Sequence, residues 1–148
     1  MQPSVQFKKI WEDDDMSEIL IITNDGINSF SVKIYAGHQE FDSIHKKLEI
    51  FKNQIYGGIT EIDFGCFGQE YANGAFNARL HFVQNQRGRI FITIKMESEY
   101  FEFGLKKVAS EANIYLISEP ALLDNFIKDF KYIDKELNTE VIFECIEK

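Results

Sequence analysis

Few residues of this sequence could do covalent chemistry, and they are spread along the chain. Cys66 lies in the glycine-rich stretch Gly65-Cys-Phe-Gly68, and His81 lies in the next predicted hairpin. Together they could supply a thiol nucleophile and a base, provided that the loop and the hairpin are close. A structural cysteine in a glycine-rich turn explains the same pattern without any chemistry. No residue is therefore predicted to be catalytic, and the protein is expected not to be an enzyme.

Metal and cofactor sites are not predicted either. The sequence contains no CxxC, HExxH or GxxxxGK[ST] pattern, which are spacings typical of metal and phosphate sites. His38 and His45 are seven residues apart, and two helical turns would separate them by about 10 Å. That separation is too large for a shared ion, so we expect surface histidines, no metal and no cofactor.

Acidic residues form the sharpest charged feature of the sequence. The run 12–15 lacks the alternating oxygen ligands and the glycine of a calcium loop. It is read either as a solvated loop before a strand or as a contact patch for a basic partner. Glu102 is a further acidic neighbour after Met96. The predicted partner-binding residues are Glu12, Asp13, Asp14, Asp15, Glu97, Glu99 and Tyr71.

Residues 56–76 combine five glycines with several aromatic rings. Aromatic side chains are favoured at interface hot spots, so the rings could line a pocket or an interface. The alternative is that the segment covers a sheet edge and packs its rings inward. The rings in question are Tyr56, Phe64, Phe67, Tyr71 and Phe76.

The overall charge narrows the class of partner. The chain has 148 residues and a formal net charge of −8, which disfavours nucleic acid and anionic membranes because both are bound by Lys and Arg. A basic protein partner would be attracted instead. Cys66 and Cys145 form no pattern, which favours a reducing compartment. The longest apolar run, 19–22, is far too short to span a membrane, and a cytoplasmic location is expected. The oligomeric state is left open.

The first half of the chain predicts strands and one helix. Strands are predicted over 5–11, 18–23 and 27–35, because β-branched or alternating residues flank the turn Asn24-Asp-Gly26. Apolar residues from Phe41 to Ile55 then recur every three or four positions, which predicts a helix ended by Gly57-Gly58.

The second half predicts another hairpin and a second helix. Residues 76–83 and 90–96 alternate on either side of the turn 85–88, and strands are also expected at 59–64, 100–108, 113–117 and 141–146. A helix is predicted from Glu119 to Leu137, with Ser118 as its N-cap. The fold class is therefore α+β, a single domain over 1–148. We expect a twisted antiparallel sheet of about six to eight strands with two helices packed on one face.

The order of these elements also resembles a small bacterial family. The likeness rests on Phe30 to Tyr35, on Phe41 to Gly58, and on Phe76 to Met96 with Arg87-Gly88 at its turn. Members of that family look like immunity proteins of polymorphic-toxin systems. The resemblance implies a cytoplasmic role in partner binding, and it carries over no functional residue.

Two functions from different classes follow as expectations. The first is a non-enzymatic acidic binding protein, an immunity protein that neutralises a cognate toxin domain by occlusion. The second is a small-molecule binding module with its pocket between the sheet and the helices. In that case Arg79 and His81, on the polar face of their strand, would orient the ligand.

Overall fold

A computed structural model of the protein describes residues 2–69, 73–83, 85 and 88–148. Within these ranges the chain forms two helices and ten strands. In chain order they are β1 (Ser4–Glu12), β2 (Met16–Asn24), β3 (Ser29–Gly37), α1 (His38–Phe51), β4 (Ile59–Phe64), β5 (Ala75–Phe82), β6 (Ile90–Glu97), β7 (Phe101–Phe103), β8 (Lys106–Val108), β9 (Glu111–Ser118), α2 (Pro120–Phe130) and β10 (Glu140–Glu144).

Eight of the strands form two antiparallel sheets. The first sheet has the order β10-β1-β2-β3 and the second has the order β4-β5-β6-β9, while β7 and β8 pair only with each other. Backbone contacts join the sheets on both sides, through a bridge between Ile117 and Ile146 and a 2.9 Å hydrogen bond from Gly74 N to Lys33 O. The predicted α+β class, antiparallel strands with two packed helices, is confirmed. The division into two sheets is a detail that the sequence pattern did not show.

The core lies between the buried faces of the two sheets and the two helices. Alternate residues of each long strand point inward, as the period of two in the sequence predicts. Phe7 of β1 occupies the centre, where its ring contacts rings of β4, β5 and α2. Phe51 of α1 stacks on Phe82 at 4.6 Å, and Phe126 of α2 stacks on Phe143 at 4.5 Å. One aromatic core therefore holds both helices against both sheets.

Helix α1 starts earlier and ends earlier than its apolar stripe predicts. It begins at His38, where the Glu40 carboxylate accepts a 2.6 Å hydrogen bond from Gly37 N. It ends at Phe51, so that Ile55 lies outside the helix and is 40% exposed. The residues after Phe51 form turns, and Gly58 O accepts a hydrogen bond from Phe82 N of β5. The chain thus leaves the helix before the predicted end and reaches β5 at Gly58.

Helix α2 is also shorter than predicted, and its N-cap is a different residue. Ser118 does not cap the helix, because its hydroxyl donates to Glu144 O at 2.9 Å, and Glu119 takes the N-cap position. The helix ends at Phe130 because the chain returns to β1, where Asn138 N donates to Lys9 O and Lys9 N donates to Thr139 O. At each end of α2, the flanking chain is thus bonded to a strand that is far away in sequence.

Candidate functional site

The acidic run of the sequence forms the turn between β1 and β2, and we call residues 12–15 the acidic hairpin. All four side chains are exposed, as a contact patch requires. The Asp13 carboxylate accepts hydrogen bonds from Asp15 N at 2.8 Å and from Met16 N at 2.9 Å. These bonds from Met16 and Asp15 lower the pKa of Asp13 below its usual range. The hairpin is therefore an ordered turn, and the lowered pKa keeps the Asp13 carboxylate ionised at neutral pH.

A β-bulge beside the acidic hairpin turns the only tryptophan outward. Val5, Phe7 and Lys9 of β1 point inward, and regular alternation would send Trp11 to the same side. The register between β1 and β2 shifts between Lys9 and Trp11, which leaves Trp11 opposite the outward residue Glu18. Trp11 is 43% exposed as a result.

The exposed tryptophan has an aromatic neighbour on the same surface. Glu18 of β2 pairs with Tyr35 of β3, so Trp11, Glu18 and Tyr35 form one row across three strands. The Trp11 and Tyr35 rings lie 6.1 Å apart in an edge-to-face arrangement, and Tyr35 is 38% exposed. Asn73 donates to the Glu18 carboxylate at 2.8 Å. An aromatic pair therefore lies next to the acidic hairpin, and we call the two together the acidic-aromatic face.

A cluster of polar groups supports the hairpin from below, and we call Lys9, Ser17, His38 and Asp134 the polar anchor. Lys9 and Ser17 are buried, whereas His38 and Asp134 are partly exposed. Lys9 has no exposed surface, and its ammonium group donates to Glu12 and lies 3.1 Å from Oδ1 of Asp134. The same Oδ1 accepts a 2.5 Å hydrogen bond from Ser17. The Asp134 carboxylate, which follows α2, therefore fixes residues of β1 and β2 on both sides of the hairpin.

His38 completes the polar anchor from the start of α1. Its Nδ1 lies 2.6 Å from Oδ2 of Asp134, and its Nε2 lies 2.9 Å from the backbone oxygen of Asp13. One imidazole ring thus connects the acidic hairpin to the segment after α2.

The bonds within the anchor favour the charged forms of Lys9, His38 and Asp134. Burial lowers the pKa of Lys9, but hydrogen bonds to Glu12 and Asp134 outweigh burial and leave the pKa raised. Burial also raises the pKa of Asp134, and the hydrogen bonds from Ser17, His38 and Lys9 reverse this effect, so its pKa is lowered. The pKa of His38 is raised, first by its bond to Asp134 and then by its bond to Asp13.

The polar anchor contains a serine, a histidine and an aspartate, but its geometry is not that of a nucleophilic triad. Ser17 donates to Asp134 and not to His38. Both ring nitrogens of His38 are already bonded, so neither is free to accept the proton of a hydroxyl. What the cluster can do is position the hairpin above it.

Cys66 and His81, the thiol and base considered together in the sequence, do not lie close to each other. His81 pairs with Ile59 at one end of the β4-β5 ladder, whereas Cys66 follows Phe64, which pairs with Phe76 at the other end. Five residues of strand separate the two ends, which is about 17 Å. The second thiol, Cys145, is fully buried, and burial raises its pKa to about 12.

The remaining predicted contact residues do not all share the surface of the acidic hairpin. Glu97 is buried, and its carboxylate accepts a 3.0 Å hydrogen bond from Gly68 N, so it ties down the glycine-rich segment. Glu99 and Glu102 are exposed, and Glu102 lies opposite Lys107 in the β7-β8 ribbon. Tyr71 lies outside the described residues.

The glycine-rich aromatic segment mostly packs inward. Phe64 and Phe76 are buried in the core, as expected if the segment packs its rings inward. Phe67 is half-buried, and the Lys95 ammonium group lies 4.6 Å from the centre of its ring. Tyr56 is 79% exposed, apart from the other rings. These rings therefore do not line a common pocket.

The predicted ligand-orienting residues point away from the interior. Ala78, Leu80 and Phe82 of β5 are buried, so Arg79 and His81 between them lie on the outer face. A surface cleft of about 430 Å³ does lie between α2 and β10. Its walls are formed by Leu122, Asn125, Lys128, Asp129, Glu140, Ile142 and Glu144.

Comparison with known proteins adds no relative. The chain matches no protein-family model, and neither a curated protein nor a solved structure matches it significantly. Among the described residues, no three His, Cys, Asp or Glu side chains are grouped as metal ligands would be. No helix in the described part of the chain has the length and apolar character needed to cross a bilayer. The acidic-aromatic face and its polar anchor are therefore interpreted from their own geometry.

Proposed function

We propose that the protein is a non-enzymatic binding protein that contacts a basic protein partner through its acidic-aromatic face. The observation that carries this proposal is the bulge in β1, which places Trp11 in solvent next to Tyr35 and the acidic hairpin. Without the bulge, Trp11 would belong to the inward face of the sheet. A bulge that re-aims a large aromatic side chain is a feature typical of functional surfaces.

The composition of this face fits a protein partner. Tryptophan and tyrosine are enriched among interface residues that dominate binding energy, because they bury a large rigid area when a partner covers them. The carboxylates of Asp14 and Asp15 provide a negative rim, and the whole chain has a net charge of −8. Opposite charge accelerates encounter with a basic surface and fixes its orientation.

The support beneath the face lowers the cost of binding. Asp134 and Lys9 hold the strands on either side of the hairpin, and Asp13 sets the turn itself. A surface that is already ordered loses less conformational entropy when a partner binds.

The finer proposal is that the partner is a toxin domain and that the protein is its immunity protein in the cytoplasm. Toxins that cleave nucleic acid need basic residues to hold phosphate, so an acidic binder would cover the same residues. Blocking the toxin by occlusion requires only a complementary surface on this chain, and no catalytic group. This proposal depends on the resemblance described above and on charge.

The test is capture of purified products of the neighbouring genes, at low and high salt, followed by an assay of the captured protein's toxicity. We expect one basic protein, inhibited when bound, whose capture falls as salt rises. Trp11→Ala should weaken binding by about thirtyfold, which corresponds to a hot spot of about 2 kcal/mol. The paired change Asp14→Asn and Asp15→Asn should slow association.

Matched controls lie on the outer face of the second sheet and near the C-terminus. Tyr115→Ala removes another exposed ring, and Asp63→Asn with Glu147→Gln removes two other exposed carboxylates. These changes should leave affinity within about twofold, as expected for residues outside an interface core. Capture of no protein at either salt would contradict the proposal, and so would a partner whose affinity is unaffected by Trp11→Ala.

One observation favours a second function, binding of a small molecule. The cleft of about 430 Å³ between α2 and β10 carries polar groups of both signs, including Lys128 and Glu140. A few converging polar groups in a concave site are typical of ligand pockets. A ligand screen by thermal shift tests this alternative, and Lys128→Ala should abolish any shift that the cleft produces.

A further inference from the structure

The bonds of His38 require a doubly protonated ring. Its two nitrogens face the ionised carboxylate of Asp134 and the backbone oxygen of Asp13, and both groups only accept hydrogen bonds. A neutral imidazole donates from one nitrogen only. Both hydrogen bonds therefore form together only when each ring nitrogen carries a proton.

The charges around His38 act in both directions. Asp134 favours the imidazolium, whereas Lys9 and the N-terminal end of α1, where His38 is the first helical residue, oppose it. The raised pKa shows that the bonds to Asp134 and Asp13 prevail. The charged groups that face this region, from the hairpin, β1, α1 and the segment after α2, are Lys9, Glu12, Asp13, Glu40, Asp42, Lys131, Asp134 and Lys135.

We infer that His38 is a pH-dependent latch that holds the acidic hairpin in its ordered conformation and so regulates the proposed binding face. When the ring loses a proton, the remaining one stays on Nδ1, because the charged Asp134 is the stronger acceptor. The lone pair on Nε2 then faces the Asp13 oxygen, and that contact becomes repulsive. The hairpin loses its bond to α1, while the bonds of Lys9 and Ser17 to Asp134 persist.

The direction of the pH effect follows from the raised pKa of His38. The His38 latch is fully closed below pH 6.5, which is the ordinary pKa of histidine. It opens as the pH rises through the higher pKa that His38 has in the folded protein. The inference rests on the proposed function only in treating the acidic hairpin as the binding face. The latch itself is a property of the free protein.

The chain contains an internal control for the latch. Asp25, in the turn between β2 and β3, accepts hydrogen bonds from Ile27 N at 2.9 Å and Asn28 N at 2.7 Å. Asp25 N also donates to Asn28 O, just as Asp13 N donates to Met16 O in the acidic hairpin. The two turns thus share the same bonds from backbone N–H groups to the aspartate and between the strand ends, and of the two only the acidic hairpin is bonded to a histidine through its backbone.

The experiment measures amide hydrogen exchange of the free protein across neutral pH, together with the NMR titration of His38. The ratio of protection at Asp15 and Met16 to protection at Ile27 and Asn28 cancels the hydroxide catalysis of exchange, which affects all four amides. We expect this ratio to fall by about fivefold as the pH rises, the size expected for loss of one hydrogen bond. The pH at which the ratio has fallen halfway should coincide with the pKa of His38 from the NMR titration, which should lie above 6.5.

Two variants on the same helix separate the latch from other effects. His38→Gln has no titrating ring, so the ratio should be low and independent of pH. His45→Gln removes a histidine whose Nε2 lies 3.6 Å from the Glu49 carboxylate, and it should keep the wild-type pH dependence.

The inference is overturned if the wild-type ratio does not change with pH, or if His38 titrates at or below its ordinary value. It is also overturned if His38→Gln keeps the pH dependence. The wild-type measurement decides the matter even if His38→Gln does not fold. No partner is needed, so failure of the latch leaves the capture experiment with Trp11→Ala unaffected.

Discussion

Replacing Asp134 with asparagine should destabilise the protein, because it removes a charge that compensates buried Lys9. Asn has the same shape but no charge, so the buried ammonium group of Lys9 would keep only Glu12 as a countercharge. Removing one partner of a buried ion pair costs about 3–5 kcal/mol, because the other charge stays buried and uncompensated. The Asp134 side chain is 18% exposed and Glu12 remains, so we expect about 3 kcal/mol, the lower end of that range.

A double-mutant cycle with Lys9→Met shows whether Lys9 is the cause. Met fills a similar volume without a charge, and replacing a buried charge in this way should change stability by about 1 kcal/mol or less. In the Lys9→Met background, Asp134→Asn removes only the charge that faces His38 and Ser17. This should lower the free energy of unfolding by about 1 kcal/mol. The expected coupling between the two positions is therefore about 2 kcal/mol.

Urea unfolding followed by tryptophan fluorescence is the appropriate assay, because Trp11 is the single tryptophan and lies beside the anchor. Asp134→Asn should lower the urea midpoint with an unchanged slope, and it should lower Tm by about 9 °C. The pKa of Asp134 is lowered below 3.8, the ordinary value for aspartate. The stabilisation of the folded protein by Asp134 is therefore complete above pH 3.8 and is lost as the pH falls below it. The difference between wild type and Asp134→Asn should therefore shrink in acid.

Two results would refute this reasoning. One is a cost below about 0.5 kcal/mol for Asp134→Asn, which is the range of an ordinary surface change. The other is an equal cost in the wild-type and Lys9→Met backgrounds, since the buried lysine would then not depend on Asp134.

Three further predictions concern the core, the thiols and the glycine-rich segment. Phe7→Ala should lower the free energy of unfolding by about 3–5 kcal/mol, measured in urea, because its ring contacts four others in the core. A thiol reagent should modify exposed Cys66 rapidly in the folded protein and buried Cys145, with a pKa of about 12, only after denaturation; equal rates would contradict this. Gly65→Ala should cost at least about 1 kcal/mol in the same urea assay, since Gly65 has φ of +71° and an added Cβ would lie 2.5 Å from Gly74 O; an unchanged midpoint would contradict the strained position.

Much of the fold could be predicted from the sequence, because local patterns carry the information. Alternation in 76–83 and 90–96 identified β5, β6 and their buried faces. The Asn24-Asp-Gly26 turn located the hairpin of β2 and β3, and the exposed position of the acidic hairpin followed from its charge. Each of these features depends on residues that are close in sequence.

The polar anchor was only half visible in the sequence. Lys9 is separated from Val5 and Phe7 by even numbers of positions, so its side chain points to the same, inward face of the strand. A buried ammonium group there needs a carboxylate partner. Nothing in the sequence shows that this carboxylate is Asp134, since any of the 24 acidic residues could serve. The pairing depends on where the segment after α2 returns to β1.

The sequence by itself determined the fold class, the buried faces of the strands and the acidic hairpin, because periodicity, turn residues and charge act over short stretches of chain. Only the tertiary structure decided that Trp11 faces solvent, that Glu97 is buried, and that α2 ends at Phe130. The physical reason is the same in each case. A bulge, a buried carboxylate and a helix end each depend on partners that are distant in sequence, and bonding between distant segments outweighs the local preference of the residues involved.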